Sequence, residues 1–165
     1  MKKLFAFIGT IGCGKTTLLN HLGVPIIDVF DYVKKHFNDT GGLANEEDAL
    51  LAYNKLFADL SKIDCEIVYL ELGTNYPEFV LNRLKEFNTT IFLCLLNPKI
   101  CFKRCQERER KFNPEQLRRR LNRNFPEEHL TYINQLGLKY FKLNMDKGPN
   151  LIIKDLVHFL NTTNK

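Results

Sequence analysis

No apolar run in the 165 residues approaches the stretch of about twenty that spans a bilayer, so neither a membrane anchor nor a membrane partner is expected. Leu4 to Ile8, behind Lys2 and Lys3, is too short for a signal-peptide core, and the expectation is a cytoplasmic protein. Paired cysteine spacing is missing as well. Cys13, Cys65, Cys94, Cys101 and Cys105 are odd in number and contain no CxxC, which argues against a disulfide framework or a zinc site and for reduced thiols. Repeats, low-complexity tracts and domain linkers are likewise absent, so residues 1–165 read as a single domain. What the chain does have is an ordinary globular composition, 44% hydrophobic and 26% charged, with a net charge of +5. Much of the positive charge is gathered between Lys103 and Arg123, which suits polyphosphate handling or, as a second reading, nucleic acid.

Apolar runs alternate with helical patterns along the chain. Strands are expected at Lys3 to Ile8, Val24 to Val29, Glu66 to Leu72, Thr90 to Leu96 and Leu138 to Leu143. The fourth is nearly all apolar, as a strand buried on both faces should be. Helices are expected at Lys15 to Leu22, Phe30 to Phe37, Glu46 to Lys62, Pro77 to Phe87, Pro98 to Lys111, Pro114 to Asn124, Pro126 to Leu136 and Asn150 to Leu160. Several open with proline in the first turn, and Asn113 is placed to cap the helix behind it. Loops are expected at Asn38 to Ala44 and at Asn144 to Pro149. Strand and helix in alternation imply parallel pairing through right-handed crossovers. The fold class is therefore α/β: a five-stranded parallel sheet, expected order 2-3-1-4-5, with helices on both faces and a small helical lid.

Gly9, Gly14, Lys15 and Thr16 complete the pattern GxxxxGK[ST] between an expected strand and an expected helix, the context a P-loop requires. Glycines let backbone N–H groups converge on an anion, and the helix N-terminus adds unpaired donors and the positive end of its dipole. The loop and helix start, Gly9, Ile11, Gly12, Cys13, Gly14, Lys15, Thr16 and Thr17, are thus the candidate ATP-binding residues. Lys15 would reach the β and γ phosphates and Thr16 would ligate Mg²⁺. Cys13 reads as a small filler, not a nucleophile.

The surroundings separate the P-loop classes. The NKxD element of guanine-specific GTPases is missing, and "IVYLELG" ends its strand in Glu71 where a hydrolytic ATPase usually has aspartate. Glu71 could serve the metal or be a strand-end carboxylate facing solvent. Phosphoryl transfer needs cations over the phosphates, and Arg104 and Arg108, four apart on one helical face, could supply them. With Arg118, Arg119, Arg120 and Arg123 on the next helix, they suggest a hinged lid over about residues 105–125; a solvated charged face, with Glu107 and Glu109 interleaved, is the other reading. Asp28 and Asp31 lie at the carboxyl end of the second strand, where an open α/β sheet builds its site. One of them is expected to serve the accepting hydroxyl or the metal, Asp28 first; Asp31 could instead be a helix N-cap.

"GTIGCGKTT" followed by "LGVPIID" resembles the opening of dephospho-CoA kinases, which run GGIGSGK[ST] and then LGxxVIDAD. "NPKICFKRCQERERKFNPEQLRRRLNRNFPEEH" and "YFKLNMDKGPNLIIKDLVHFL" resemble that family's lid segment and its last strand, turn and helix. The resemblance implies an ATP- and Mg²⁺-dependent kinase transferring a phosphoryl group to the ribose 3'-hydroxyl of dephospho-CoA. It implies that Arg104 and Arg108 are the family's arginine pair, that Arg120 is its lid arginine, and that Asn144 lies near the base-contacting turn. Lys15, Asp28, Asp31, Arg108 and Arg120 are then the candidate catalytic set; Thr16, Asp28 and Glu71 are the candidate metal set. The family's second aspartate aligns with Phe30, and the acceptor-binding region, about residues 30–65, is reduced. "ELGTNYP" resembles instead the strand-turn of small polynucleotide and metabolite kinases. Two alternatives therefore stand beside the first: a nucleoside, nucleotide or polynucleotide-end kinase, and a non-catalytic nucleotide- or nucleic-acid-binding protein. A small-molecule acceptor is the expected partner, and the chain a monomer or small homo-oligomer.

Overall fold

β1 (Lys3–Gly9) is the middle strand of a five-stranded parallel sheet in the order β2-β3-β1-β4-β5. A computed structural model of the chain describes residues 2–40, 45–108 and 113–162. β1 pairs with β3 (Ile67–Leu72) on one side and β4 (Asn88–Leu95) on the other, in registers that put Phe7 beside Glu71 and Gly9 beside Cys94. β2 (Ile26–Asp28) and β5 (Lys139–Asn144) are the edges. The expected order of strands is the observed one.

Side-chain alternation along β1 divides the interior into two cores. Leu4, Ala6 and Ile8 face α3 (Glu46–Lys62), α4 (Pro77–Leu84) and α7 (Glu127–Leu136) through Leu56, Phe57, Leu81 and Ile133. Phe5 and Phe7 face α1 (Lys15–Leu22), α5 (Pro98–Arg108), α6 (Pro114–Leu121) and α8 (Pro149–Thr162) through Leu18, Leu19, Cys101, Leu117 and Ile152. Helices cover both faces, so the central strands are largely apolar, with Glu71 near the end of β3 the buried charged exception.

Local chemistry sets the element ends. Asn113 Oδ1 accepts the Gln116 N–H at 3.1 Å and Asn45 Oδ1 accepts the Asp48 N–H at 2.8 Å, capping α6 and α3. β2 is shorter than expected: Pro25 has no N–H for the ladder of this edge strand, and the strand stops where Asp28 turns to cap a helix. α2 (Val29–Thr40) runs past the expected end at Phe37. Residues 38–40, expected in a loop, are its last turn, and residues 41–44 of that loop lie outside the described residues. Packing against α3 outweighs the loop-forming character of Asn38 and Asp39: Tyr32 Oη reaches Asp59 Oδ2 at 3.2 Å and His36 Nε2 lies 3.6 Å from Asp48 Oδ1. α4 ends at Leu84, before the expected Phe87, because three-residue bonds from Glu86 and Phe87 N–H groups tighten the chain and Thr89 Oγ1 donates to the Leu84 carbonyl at 2.7 Å.

α5 and α6 form a helical hairpin. Its connection, 109–112, which includes Glu109 and part of the expected lid, lies outside the described residues. α6 rests on the body of the protein through buried Leu117 and Leu121, and the Arg118 guanidinium lies 5.3 Å from the centre of the Phe102 ring. The five cysteines are free, four of them buried. Among the described residues no helix is long and apolar enough to cross a membrane.

Candidate active site

The loop between β1 and α1 is shaped by what surrounds its glycines. A Cβ at Gly9 would meet Cys13 Sγ and the Cys94 carbonyl oxygen at 2.8 Å, so only glycine fits there. Gly12 has φ +78° and presses on α5, where a Cβ would lie 2.8 Å from the Cys101 carbonyl oxygen and from Cys105 Sγ. Gly14, at φ +98°, starts α1, and its carbonyl accepts the Leu18 N–H at 3.0 Å. Both positive angles are costly for any residue with a Cβ. Cys13 is fully buried beneath the loop, and Ile11 packs against the same core.

Lys15 is buried, and its ammonium donates to the carbonyls of Gly9 at 2.8 Å and Thr10 at 3.2 Å. A cation thus sits inside the turn of the loop, held by oxygens that it can exchange for phosphate oxygens. Thr16 Oγ1 donates to Glu71 Oε1 at 2.8 Å. Glu71 is 8% exposed, so the solvent-facing reading of this carboxylate does not hold. Asp28 is beside it, the two being register partners on β2 and β3.

Asp28 Oδ1 accepts the Phe30 N–H at 2.8 Å, so this residue, and not Asp31, caps α2; Asp31 is exposed within the first turn. Phe30, beside it at the start of α2, is 63% exposed. Burial pushes the Asp28 carboxyl above its ordinary value; the Phe30 N–H and Lys15 pull it down, and Asp31 pushes it up. Glu71 is raised for the same leading reason, opposed by the Thr16 hydrogen bond and Lys15, and reinforced by Asp28 and Asp31. The sheet edge therefore holds closely spaced carboxyls whose mutual repulsion a cation would relieve.

Mg²⁺ fits this donor set. Hydroxyl and carboxylate oxygens are the ligands of a hard cation, and Mg²⁺ is usually held by one or two carboxylates together with waters and phosphate oxygens. Among the described residues no group of three or more His, Cys, Asp or Glu side chains could hold a metal without such help.

Beside the loop lies a cleft of about 280 Å³ lined by Gly12, Gly14, Thr17, Arg104, Arg108 and Met145, among others. A Cβ at Gly14 would lie 3.6 Å from Arg104 Nη1 and 3.7 Å from Met145 Cε, which puts the guanidinium and the thioether over the loop. Arg108 Nη2 lies 3.8 Å from Cys105 Sγ. Arg120 is exposed on α6 and lines neither this cleft nor the next. Asn144 accepts the Asp146 N–H at 3.0 Å, building the turn after β5, and lines a second cleft of about 480 Å³ with Thr10 and Phe125. Part of the basic stretch is neutralised locally: Arg119 pairs with Glu115 at 2.6 Å and Lys103 lies 3.9 Å from Glu107.

Sequence reasoning missed Met145 and Lys147, which line the cleft beside the loop from the turn after β5. Their one legible signal was the turn composition of "NMDKGP".

No family model matches the chain, and no curated relative matches it. Solved structures do. TT1252 from Thermus thermophilus superposes with a TM-score of 0.67 at 16% identity, over 99% of this chain and 98% of that one. Deoxyadenosine kinase from M. mycoides with bound dATP gives 0.65 at 17% identity, over 96% and 99%. Shikimate kinase from Acinetobacter baumannii in complex with shikimate gives 0.64 at 18% identity, over 100% and 97%. Likeness at this identity shows the fold: a five-stranded α/β fold shared end to end with solved kinases.

Proposed function

We propose that the protein is an ATP-dependent phosphotransferase that moves the γ-phosphoryl group to a hydroxyl of a small molecule. The observation that carries this reading is the Thr16–Glu71 hydrogen bond of 2.8 Å, which ties the start of the P-loop helix to the strand end beside Asp28. Donor machinery and a candidate base are thereby held on one sheet edge.

In this reading the loop amides from Gly9 to Thr16 and the Lys15 ammonium bind the triphosphate, and Arg104 with Arg108 offsets its charge from α5. Asp28 takes the proton of the attacking hydroxyl, its raised pKa bringing it closer to that task at neutral pH. Asp31 sets the local field, and Arg120 is a lid residue by the resemblance of its segment. Thr16, Glu71 and Asp28 would hold Mg²⁺, which when bound offsets the negative charge of the phosphates.

Dephospho-CoA is the acceptor that the sequence resemblance implies; the short apolar run Leu4 to Ile8 supports the cytoplasm as the compartment. The test is ADP release from ATP with and without dephospho-CoA, in the wild type and in Lys15→Ala. Acceptor-dependent release that Lys15→Ala abolishes is the expected result; turnover at one rate regardless of acceptor would overturn the reading. If dephospho-CoA is inert, the same assay with nucleosides and hydroxy acids identifies the acceptor.

A further inference from the structure

Two clefts adjoin the loop between β1 and α1, and they share no lining residue although the same three segments line both. The loop gives Gly12 and Gly14 to the first and Thr10 to the second. α5 gives Arg104 and Arg108 to the first and its opening turn, Pro98 and Ile100, to the second. In the turn after β5 the side chains alternate: Met145 and Lys147 line the first cleft, Asn144 and Asp146 the second.

This division sorts the charges. Arg104, Arg108 and Lys147 give the first cleft three cations against Glu107, whereas Asp146 is the one charged residue lining the second. The neighbouring Lys147 is engaged elsewhere, with Asp155 at 3.1 Å, and among the described residues no cation pairs with Asp146. His129, whose ring meets Phe125 of the cleft wall edge-on at 5.0 Å, adds no positive charge, since burial lowers its pKa to about 4. Backbone donors are spent as well. A helix N-terminus ordinarily draws anions, and α5 begins at this cleft. Yet Pro98 has no N–H, the Lys99 N–H goes to Asn97 Oδ1 at 2.9 Å, and those of Ile100 and Cys101 go to the Asn97 carbonyl at 3.0 and 3.1 Å. α7, which begins just past Pro126 of the same wall, carries Glu127 and Glu128 in its first turn, and they offset its dipole.

Most of the remaining wall is apolar, with Leu95 from β4, Ile100 from α5, Leu121 from α6 and Phe125 beyond it. Its volume of about 480 Å³ is that of a small-molecule site, and an apolar wall with a few polar groups is the usual make-up of one. Asn144 Oδ1 accepts the Asp146 N–H at 3.0 Å, fixing the turn that presents the exposed carboxylate.

We infer that the second cleft is a binding site in its own right, for an apolar compound that carries an ammonium group and no phosphate. The apolar body lies against Leu95, Ile100, Leu121 and Phe125, and the ammonium meets Asp146. The site is independent of phosphoryl transfer.

The test uses three probes with one ring system and three charges: 1-naphthylmethylamine, 1-naphthylmethanol and 1-naphthylacetate. Calorimetric titration of the full chain should show the amine binding roughly tenfold more tightly than the acetate, with the alcohol between them. Asp146→Asn should bring the three affinities together, and Ile100→Trp, which fills the cleft, should remove binding of all three. A saturating non-hydrolysable ATP analogue should leave the amine bound. Melting temperatures establish that both variants are folded. No binding of the amine to the wild type, acetate binding as tight as amine binding, or an amine preference that survives Asp146→Asn overturns the inference. So does displacement by the ATP analogue, which would put the probe in the first cleft.

Discussion

The hydroxyl of Thr16 donates to Glu71 Oε1 at 2.8 Å, joining two residues that lie 55 positions apart in the chain. Glu71→Gln keeps an acceptor for that hydroxyl but removes the charge. The expected outcome is a loss of about 10- to 100-fold in apparent Mg²⁺ affinity, read as the Mg²⁺ concentration giving half-maximal ADP release. An unchanged Mg²⁺ dependence would make Glu71 a structural tether.

Asp28 and Asp31 are separable by substitution. Asp28→Asn retains a good cap for the Phe30 N–H, so α2 should form, while phosphoryl transfer falls by about 10²- to 10⁴-fold. Asp31→Asn should lower activity far less, since that side chain is exposed and acts only through its field. Comparable losses in the two variants would contradict the assignment of Asp28 as base.

The pH profile follows from the same geometry. Burial raises the Asp28 carboxyl, so as pH falls the base is protonated, and activity lost, at a pH above the ordinary aspartate value of 3.8. The sign for stability is the reverse: the folded state holds this proton more tightly than the unfolded chain, so the group's contribution declines as pH rises through the window above 3.8. Rate and denaturation measurements on the wild type and Asp28→Asn should show both trends removed together.

Gly12 is where the loop and α5 touch. Gly12→Ala puts a methyl group 2.8 Å from the Cys101 carbonyl and keeps a φ of +78° that alanine resists. α5 must shift, carrying Arg104 with it, and ATP affinity should fall by tenfold or more, on the order of the 1 to 3 kcal/mol that overpacking costs. Fluorescent-nucleotide binding reports the change. Gly148→Ala, with nothing within 4 Å, is the matched substitution at an open position.

His129 supplies a stability test remote from the chemistry. It is 3% exposed, its ring meets Phe125 edge-on at 5.0 Å, and burial lowers its pKa from 6.5 to about 4. The fold prefers neutral imidazole, so the stabilisation is complete above 6.5 and is lost as pH falls toward 4. The loss is about 3 kcal/mol by the usual conversion of a pKa difference. Urea unfolding at stepped pH should show this slope in the wild type and a much shallower one in His129→Phe.

The strand order and the P-loop were legible because both rest on local rules. Alternating apolar strands and amphipathic helices allow few topologies, and GxxxxGKT requires its glycines at positions no other residue tolerates. The end of α2 was misread because Asn38, Asp39 and Thr40 favour loops in isolation, whereas contact with α3 keeps them helical. The capping residue was misread by one helical turn because it depends on whether β2 stops at Asp28 or Val29.

Residue order therefore settled the local shape of this site: a glycine loop between a strand and a helix, a lysine inside it and acids at a strand end, since each is a property of neighbours along the backbone. Which acid meets Thr16, which carboxyl is buried beside it, and that Gly12 presses on α5 were decided by sheet register and by the packing of helices against the loop. Those contacts join residues tens of positions apart, and only the folded layers bring their side chains and fields within reach of one another.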